Sequence, residues 1–254
     1  MMTEQPIRIL HIVGIMDQGG IETLLMNLYR NIDRSVIQFD FLTHSTQKGF
    51  FDDEIMSLGG KIYSVVNPFS ITGALKYQKA LSDFFTEHPE YTIVHSHMNT
   101  FSGIILNIAK KSGVKKRIAH SHATDIENPI KRQIGHISKI LGQNSITHFF
   151  ACSKAAAKWS FGKQVAKTMI FKNAIDLSQY RFSNKIRSEY RKQLNLEDKY
   201  VIGHVGRFTE IKNHSFLIDI FSKLHATRNN TTLLLIGDGP LLKDIKHKVK
   251  ELGL

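Results

Sequence analysis

Cysteine is nearly absent from this chain: Cys152 is the single one in 254 residues. That excludes an internal disulfide framework and leads us to expect a reducing, cytoplasmic setting. Long apolar runs are missing too, since no stretch approaches the ~20 consecutive apolar residues of a membrane span. The amino end, Met1-Met-Thr-Glu-Gln-Pro-Ile-Arg, lacks the basic-then-apolar order of a secretion signal, so a soluble or peripheral protein is expected. No internal repeat or low-complexity segment stands out. Acid is the scarcer charge, with 22 Asp and Glu against 34 Lys and Arg and a formal net charge of +12. Such a field favours anionic partners, whether nucleotides, anionic lipid or nucleic acid. Aromatics are not interleaved with the basic runs, which argues against single-strand nucleic-acid recognition.

What is present is ordinary globular material, 42% hydrophobic and 22% charged, enough for one large or two modest cores. Ile7 to Val13 reads as a buried strand, followed by the glycine-rich turn Gly14-Ile-Met-Asp-Gln-Gly-Gly-Ile-Glu22 and a helix carrying Leu24, Leu25, Leu28 and Ile32. Strands are then expected at Val36 to Leu42, Lys61 to Val66, Tyr91 to His95, Lys116 to His120, His148 to Ala151 and Thr168 to Phe171. Helical patterns separate them, among them one marked by Ile71, Ala74, Leu75, Leu81 and Phe85. This alternation predicts a parallel doubly wound sheet with helices on both faces. After Ala174 the chain turns polar through about Lys199, as a domain connection would, with a short helix around Ile186 to Leu194. A second α/β unit then opens with strands at Tyr200 to Val205 and Thr231 to Ile236. Its first helix carries Phe216, Leu217, Ile220, Phe221 and Leu224 on one stripe. Two strands and two helices do not cover both faces of a sheet, so this unit reads as incomplete at Leu254.

Several patterns at strand ends carry chemistry. In Val201-Ile-Gly-His-Val-Gly-Arg-Phe-Thr-Glu-Ile-Lys-Asn213, Gly206 lets backbone approach a ligand, Arg207 offers a planar fork of donors, and Lys212 adds a charge near a helix N-terminus. A diphosphate suits that arrangement, and a plain strand-to-helix turn with two solvated cations is the competing reading. Gly19-Gly20-Ile21-Glu22 places a glycine-rich turn at a helix start, where a phosphate or sugar fits, but its spacing is not G-x-G-x-x-G and a nicotinamide cofactor is disfavoured. His95-Ser96-His97 and His120-Ser121-His122 each set two rings on one strand face, as metal ligands would be set, but no third ligand is apparent and no metal is expected. A Ser-His-Asp hydrolase lacks its G-x-S-x-G elbow. Gly237-Asp-Gly-Pro240 reads as a structural turn before a helix.

These pieces follow one another as Gly19-Gly20-x-Glu22, His95-Ser-His97, His120-Ser-His122, Phe150-Ala-Cys-Ser153, Asn173-Ala-Ile-Asp176, Val205-Gly-Arg-x(4)-Lys-Asn213 and Gly237-Asp-Gly-Pro-Leu241. In that order they resemble glycosyltransferase family 4, the retaining GT-B enzymes of bacterial capsular and exopolysaccharide assembly, across essentially the whole chain. The resemblance implies two Rossmann-like doubly wound domains. Residues 1–174 would form the acceptor-side domain, and 175–254 the linker and first part of the nucleotide-sugar domain. It implies that Arg207 and Lys212, beside Gly206, neutralise the diphosphate of a nucleotide sugar in place of a metal. It sets His122 near the transferred sugar, with Gly19 and Gly20 close to the phosphates. Glu22, His97 and Asp125 would shape the acceptor side or the cleft, and Asn173 and Asp176 the hinge. Family members continue for roughly 100 further residues, carrying a second glycine-rich loop and a Glu-x(7)-Glu motif that engages the donor. The 254 residues alone are therefore expected to be weakly active or inactive. The implied reaction is transfer of a hexose, with retention, to a hydroxyl of a lipid-linked saccharide at the inner face of the plasma membrane. A nucleotide-sugar 2-epimerase of similar fold, a non-catalytic remnant and a basic binding module are the alternatives.

Overall fold

A computed structural model describes residues 5–65, 73–124 and 129–254. Ile71 and Asp125 lie outside the described residues. The chain divides into two compact units, Met1–Asp176 and Leu177–Leu254.

In the first unit seven parallel strands, β1 (Ile7–Val13), β2 (Ile37–Thr43), β3 (Ile62–Ser64), β4 (Ile93–Ser96), β5 (Lys116–Ser121), β6 (His148–Ala151) and β7 (Thr168–Ile170), stand in the order β3-β2-β1-β4-β5-β6-β7. The helices between them are α1 (Gly20–Asn31), α2 (Asp52–Ser57), α3 (Ala74–Glu87), α4 (Ser102–Lys111), α5 (Pro129–Gly142) and α6 (Lys154–Phe161). The direction of winding reverses between β1 and β4, the place where open α/β sheets build sites outside their strand ends.

The pleat sends alternate strand residues to opposite faces. Leu10, Ile12, Leu42 and Val94 pack against Leu81, Phe84, Ile105 and Leu106 of α3 and α4. Val13, Phe39 and Phe41 pack against Leu25, Met26 and Tyr29 of α1 and Ile55 of α2. Leu75, placed on the apolar stripe by its sequence, is 82% exposed, and Tyr77 and Phe84 hold the stripe instead. Tyr91 falls outside β4. Its hydroxyl donates to Asp40 at 2.7 Å, and Asp40 also takes two 2.5 Å bonds from the Arg8 guanidinium and one of 2.7 Å from the Lys61 amide. Asp40 is fully buried, whereas Arg8 keeps a partly exposed edge.

α4 and α5 meet through small residues. A Cβ on Gly103 would stand 2.0 Å from the Ser138 carbonyl oxygen, and one on Gly142 would stand 2.1 Å from the Gly103 Cα. Only glycine admits that approach.

The second unit holds α7 (Asn184–Gln193), β8 (Tyr200–Val205), α8 (His214–Thr227), β9 (Thr231–Ile236) and α9 (Leu242–Glu251), with β8 and β9 paired in parallel. Its core is Phe208, Ile218 and Ile245. The buried stripe of α8 is His214, Ile218 and Phe221, while Phe216 and Ile220 stand exposed, at 59% and 50%. The stripe read from the sequence is thus rotated, because two strands cover only a narrow band of the helix.

Removing Asp40 should expose the cost of its network. We expect Asp40→Ala to lower unfolding free energy by about 3 kcal/mol, the lower part of the range for breaking a buried pair because Arg8 retains some water. Urea denaturation measures it, with the exposed pairs Lys48–Asp53 and Lys79–Asp83 as controls that change little.

Candidate functional site

At the carboxyl ends of β1, β4 and β5 the first unit gathers five imidazoles. The parallel register sets His11 opposite His95 and continues from β4 to β5, so that His97, His120 and His122 follow on the same face. His11 Nδ1 lies 3.1 Å from His97 Nε2, and His97 Nδ1 lies 3.0 Å from His122 Nε2. His95 stacks on His120 with centroids 5.4 Å apart, and His120 lies 4.0 Å from His122. Phe39, Phe150 and Phe171 complete the surround.

Burial controls the charge of this array. Desolvation holds His11 down at about 3, His120 at about 2 and His122 at about 4, and His95 and His97 well below the ordinary imidazole value. All five are neutral at physiological pH. A neutral imidazole donates through one nitrogen and accepts through the other, so His11, His97 and His122 form a chain of one direction. At the other end of this chain the half-buried His122 has its Nδ1 enclosed and without a partner. Its backbone amide is tied to the Asn99 side chain at 2.7 Å, which fixes the loop after β5.

The third ligand that the sequence does not show is present in space. His11, inside an otherwise apolar strand, completes the set His11, His95 and His97, and a second set comprises His97, His120 and His122. In each set the ligand atoms lie within 4.8 Å of one another. No carboxylate acts on these rings among the described residues, and a divalent ion there would leave its charge uncompensated in an apolar surround. The spacings of 3.0 and 3.1 Å are those of hydrogen bonds.

Glu22 has a definite place. Its Oε2 would stand 2.2 Å from a Cβ on Gly19, so the carboxylate folds over the first turn of α1. Partial desolvation raises its pKa, and the neighbouring backbone amides offset part of that rise. The anion position at this helix start is therefore held by the chain's own carboxylate, and Gly20 beside it is open. Asn173 and Asp176 lie exposed at the end of the first unit.

In the second unit β8 runs into Gly206 and Arg207, then a short 3-10 turn at Glu210–Lys212, then α8. Arg207 and Lys212 are exposed, and neither has an ion pair or hydrogen bond through its side chain among the described residues. The Lys212 stem lies 3.5 Å from where a Gly206 Cβ would be. Asn213, in the left-handed region at φ 46°, caps α8 through its side chain. The Gly237-Asp-Gly239 turn braces this segment: both glycines have positive φ, and a Cβ on Gly237 would meet the Gly206 carbonyl oxygen at 2.1 Å. Phe208 donates its amide to the Asp238 carbonyl at 2.8 Å. Sequence reasoning missed His214, which is buried and stacked on Phe208 at 4.1 Å under the loop.

Residues 18–179 match the description Glycosyltransferase Family 4, and residues 186–254 match Glycosyl transferases group 1. The chain belongs to glycosyltransferase family 4. EpsF of Bacillus subtilis (strain 168) is 31% identical over 97% of this chain and 66% of its own length. Staphylococcus aureus CapH, named as a capsular polysaccharide biosynthesis glycosyltransferase, is 25% identical over 91% and 62%. This chain thus spans just under two thirds of these relatives. Among solved structures, Anabaena HepE in complex with UDP and glucose superposes with a TM-score of 0.77 at 21% identity, over 98% of this chain and 67% of HepE. That likeness fixes the fold of this family 4 chain as the α/β GT-B type.

The histidine array predicts acid sensitivity. The folded-state values lie below the unfolded value of about 6.5, so the stability they contribute is present above that pH and is lost as pH falls below it. Each ring should cost about 1.4 kcal/mol per pH unit in that range. We expect the urea midpoint to drop steeply between about pH 6.5 and 4, and His11→Leu to flatten the drop. A midpoint constant across that range would contradict the buried, neutral array.

Proposed function

We propose that this family 4 chain serves polysaccharide assembly as a retaining glycosyltransferase. It would move a hexose from a nucleoside diphosphate sugar to a hydroxyl of a lipid-linked saccharide at the inner face of the membrane. The observation that carries the reading is the pair of exposed cations, Arg207 and Lys212, without a side-chain partner among the described residues, on a braced strand-to-helix turn. The names of CapH and of the UDP-bound HepE structure support the same substrate class.

In this mechanism the Arg207 fork and the Lys212 ammonium hold the diphosphate and stabilise the charge that grows as it departs, aided by the α8 N-terminus. Permanent side-chain charge does this work, so the reading requires no metal cofactor. His122, neutral and held by His97, hydrogen-bonds the transferred sugar without adding charge of its own. The acceptor hydroxyl attacks the face from which the diphosphate leaves, through an oxocarbenium-like state. Neither the sequence nor the geometry nominates a protein nucleophile. Gly19 and Gly20 line the phosphate side, where an incoming anion would displace the Glu22 carboxylate. Glu22, His97 and Asp125 shape the acceptor side or the cleft, His97 through its hydrogen bond to His122, and Asn173 and Asp176 act as the hinge.

Calorimetric titration with UDP tests the grip directly. Arg207→Ala and Lys212→Ala should each weaken binding about tenfold or more, from the loss of charge-assisted hydrogen bonds. Arg207→Lys should recover part of the loss, because a point charge replaces a fork. Unchanged affinity in the double alanine variant would remove the diphosphate assignment. Release of an altered sugar from the donor alone, without any acceptor, would instead identify a 2-epimerase.

A further inference from the structure

Three enclosed ring nitrogens lie against the loop from Gly206 to Asn213 without a hydrogen-bond partner. They are Nε2 of His204 and both nitrogens of His214. His204 is the next-to-last residue of β8, and His214 opens α8. The two imidazoles meet edge to face, with centroids 4.9 Å apart and planes at 85°. A polar atom held dry without a partner is a cost, and a leucine or phenylalanine would fill the same space without it. Packing alone therefore does not explain why both positions carry histidine.

What the rings touch is the loop that carries Arg207 and Lys212. His214 lies flat on Phe208, at 4.1 Å and 10°. Phe208 directly follows Arg207, and the turn between β9 and α9 holds it twice: its amide donates to the Asp238 carbonyl at 2.8 Å, and its carbonyl accepts from the Leu241 amide at 3.1 Å. On the other side of Arg207, a Cβ on Gly206 would stand 3.3 Å from His204 Nε2 and 3.5 Å from the Lys212 stem. His204 and Lys212 thus flank the same bare glycine. One ring backs each cation, His214 through Phe208 and His204 beside the Lys212 stem.

The pair also stands in the field of these cations. Burial, and after it the charges of His204 and Lys212, hold His214 below the ordinary imidazole value. The positive end of α8, where His214 sits, acts in the same sense. The nearby carboxylates are engaged or solvated: Asp238 accepts from the Gly239 amide at 2.7 Å, Asp219 pairs with Lys248 at 2.6 Å, and Glu210 and Asp244 are exposed. A phosphate on Lys212 reverses the balance, because it offsets the opposing cation and adds negative charge of its own.

We propose that His204 and His214 are positioning residues of the diphosphate grip and that the pair takes up a proton when a nucleoside diphosphate binds. Neutral, the two rings support Phe208 and the Lys212 stem. With the ligand bound, the pair accepts one proton from solvent. More protons are then held in the complex than in the free protein, so affinity rises as pH falls, by up to about tenfold per pH unit. This inference rests on the diphosphate reading of Arg207 and Lys212 and adds to it two residues and a direction of pH dependence.

UDP-glucose is the probe, because the phosphates of a diphosphate diester do not titrate near neutral pH, whereas a terminal phosphate does, at roughly pH 6. In calorimetric titration its affinity should rise about threefold or more as pH falls from about 8 to 6, with proton uptake revealed by buffers of different ionisation enthalpy. His214→Phe keeps a ring against Phe208 and removes both nitrogens. Stability in urea should be retained in that variant, while the pH dependence and the proton uptake vanish. His204→Leu should flatten the profile likewise. His214→Ala also removes the stack on Phe208 and should weaken binding at every pH, about fivefold. Binding that needs Arg207 and Lys212 but is flat in pH, or a pH dependence that survives in both His214→Phe and His204→Leu, would overturn this proposal and leave the diphosphate reading standing. Failure of the unaltered chain to bind UDP-glucose, or binding indifferent to the Arg207→Ala, Lys212→Ala double variant, would remove both.

Discussion

The pleat of a parallel sheet is the constraint from which the first unit's site follows. Once β1, β4 and β5 pair in register, residues two apart on each strand must share a face. His11, His95, His97, His120 and His122 then converge with no choice left to the side chains. Convergence in turn sets their chemistry. Rings that exclude water from one another, with Phe39, Phe150 and Phe171 around them, keep their neutral forms, and neutrality is what lets His97 bridge His11 and His122. A single buried carboxylate among them would reverse this logic, charging the nearest ring and favouring a metal.

In the proposed reaction the groups of each unit would take a different electrostatic part. Neutral imidazoles suit a sugar, whose hydroxyls exchange hydrogen bonds and whose oxocarbenium-like state would be opposed by a nearby cation. Solvated permanent cations suit a diphosphate, whose negative charge grows as it leaves. Among the described residues Arg207 and Lys212 have no ion pair, and the turn Gly237 to Gly239 braces the backbone beside them. Glu22 plays the corresponding part on α1. Its carboxylate lies over the first turn of α1, and its raised pKa marks the cost of holding a carboxylate in a partly dry position.

The alternation of strands and helices was legible from the sequence because it is a local property: apolar runs, glycine-rich turns and helical stripes each span a dozen residues or fewer. The strand-end motifs were legible for the same reason. Other features depend on distance. Asp40 joins Arg8, Lys61 and Tyr91, partners 21 to 51 residues away, and no periodicity announces that. His11 lies within Ile-Leu-His-Ile-Val, where a lone histidine gives no signal, and its importance comes from the β1–β4 register alone. Tyr91 stands outside the strand because its amide closes a turn onto the His88 carbonyl. The α8 stripe was misread because the width of the sheet beneath a helix decides which apolar residues are covered.

α5 shows the same limit in its sharpest form. Its sequence, Pro129-Ile-Lys-Arg-Gln-Ile-Gly-His-Ile-Ser-Lys-Ile-Leu-Gly142, has a clear apolar periodicity, and the ordinary inference is that the isoleucine stripe faces the core. Periodicity defines two faces, however, and says nothing of which one the domain accepts. Here the deciding residue is on another helix. Gly103 of α4 removes the side chain that would hold α5 at the usual 8–10 Å between axes, and at closer approach only glycine and serine fit between them. Ile137, Ile140 and Leu141 are thereby left exposed, while Gly135, Ser138 and Gly142 fill the contact.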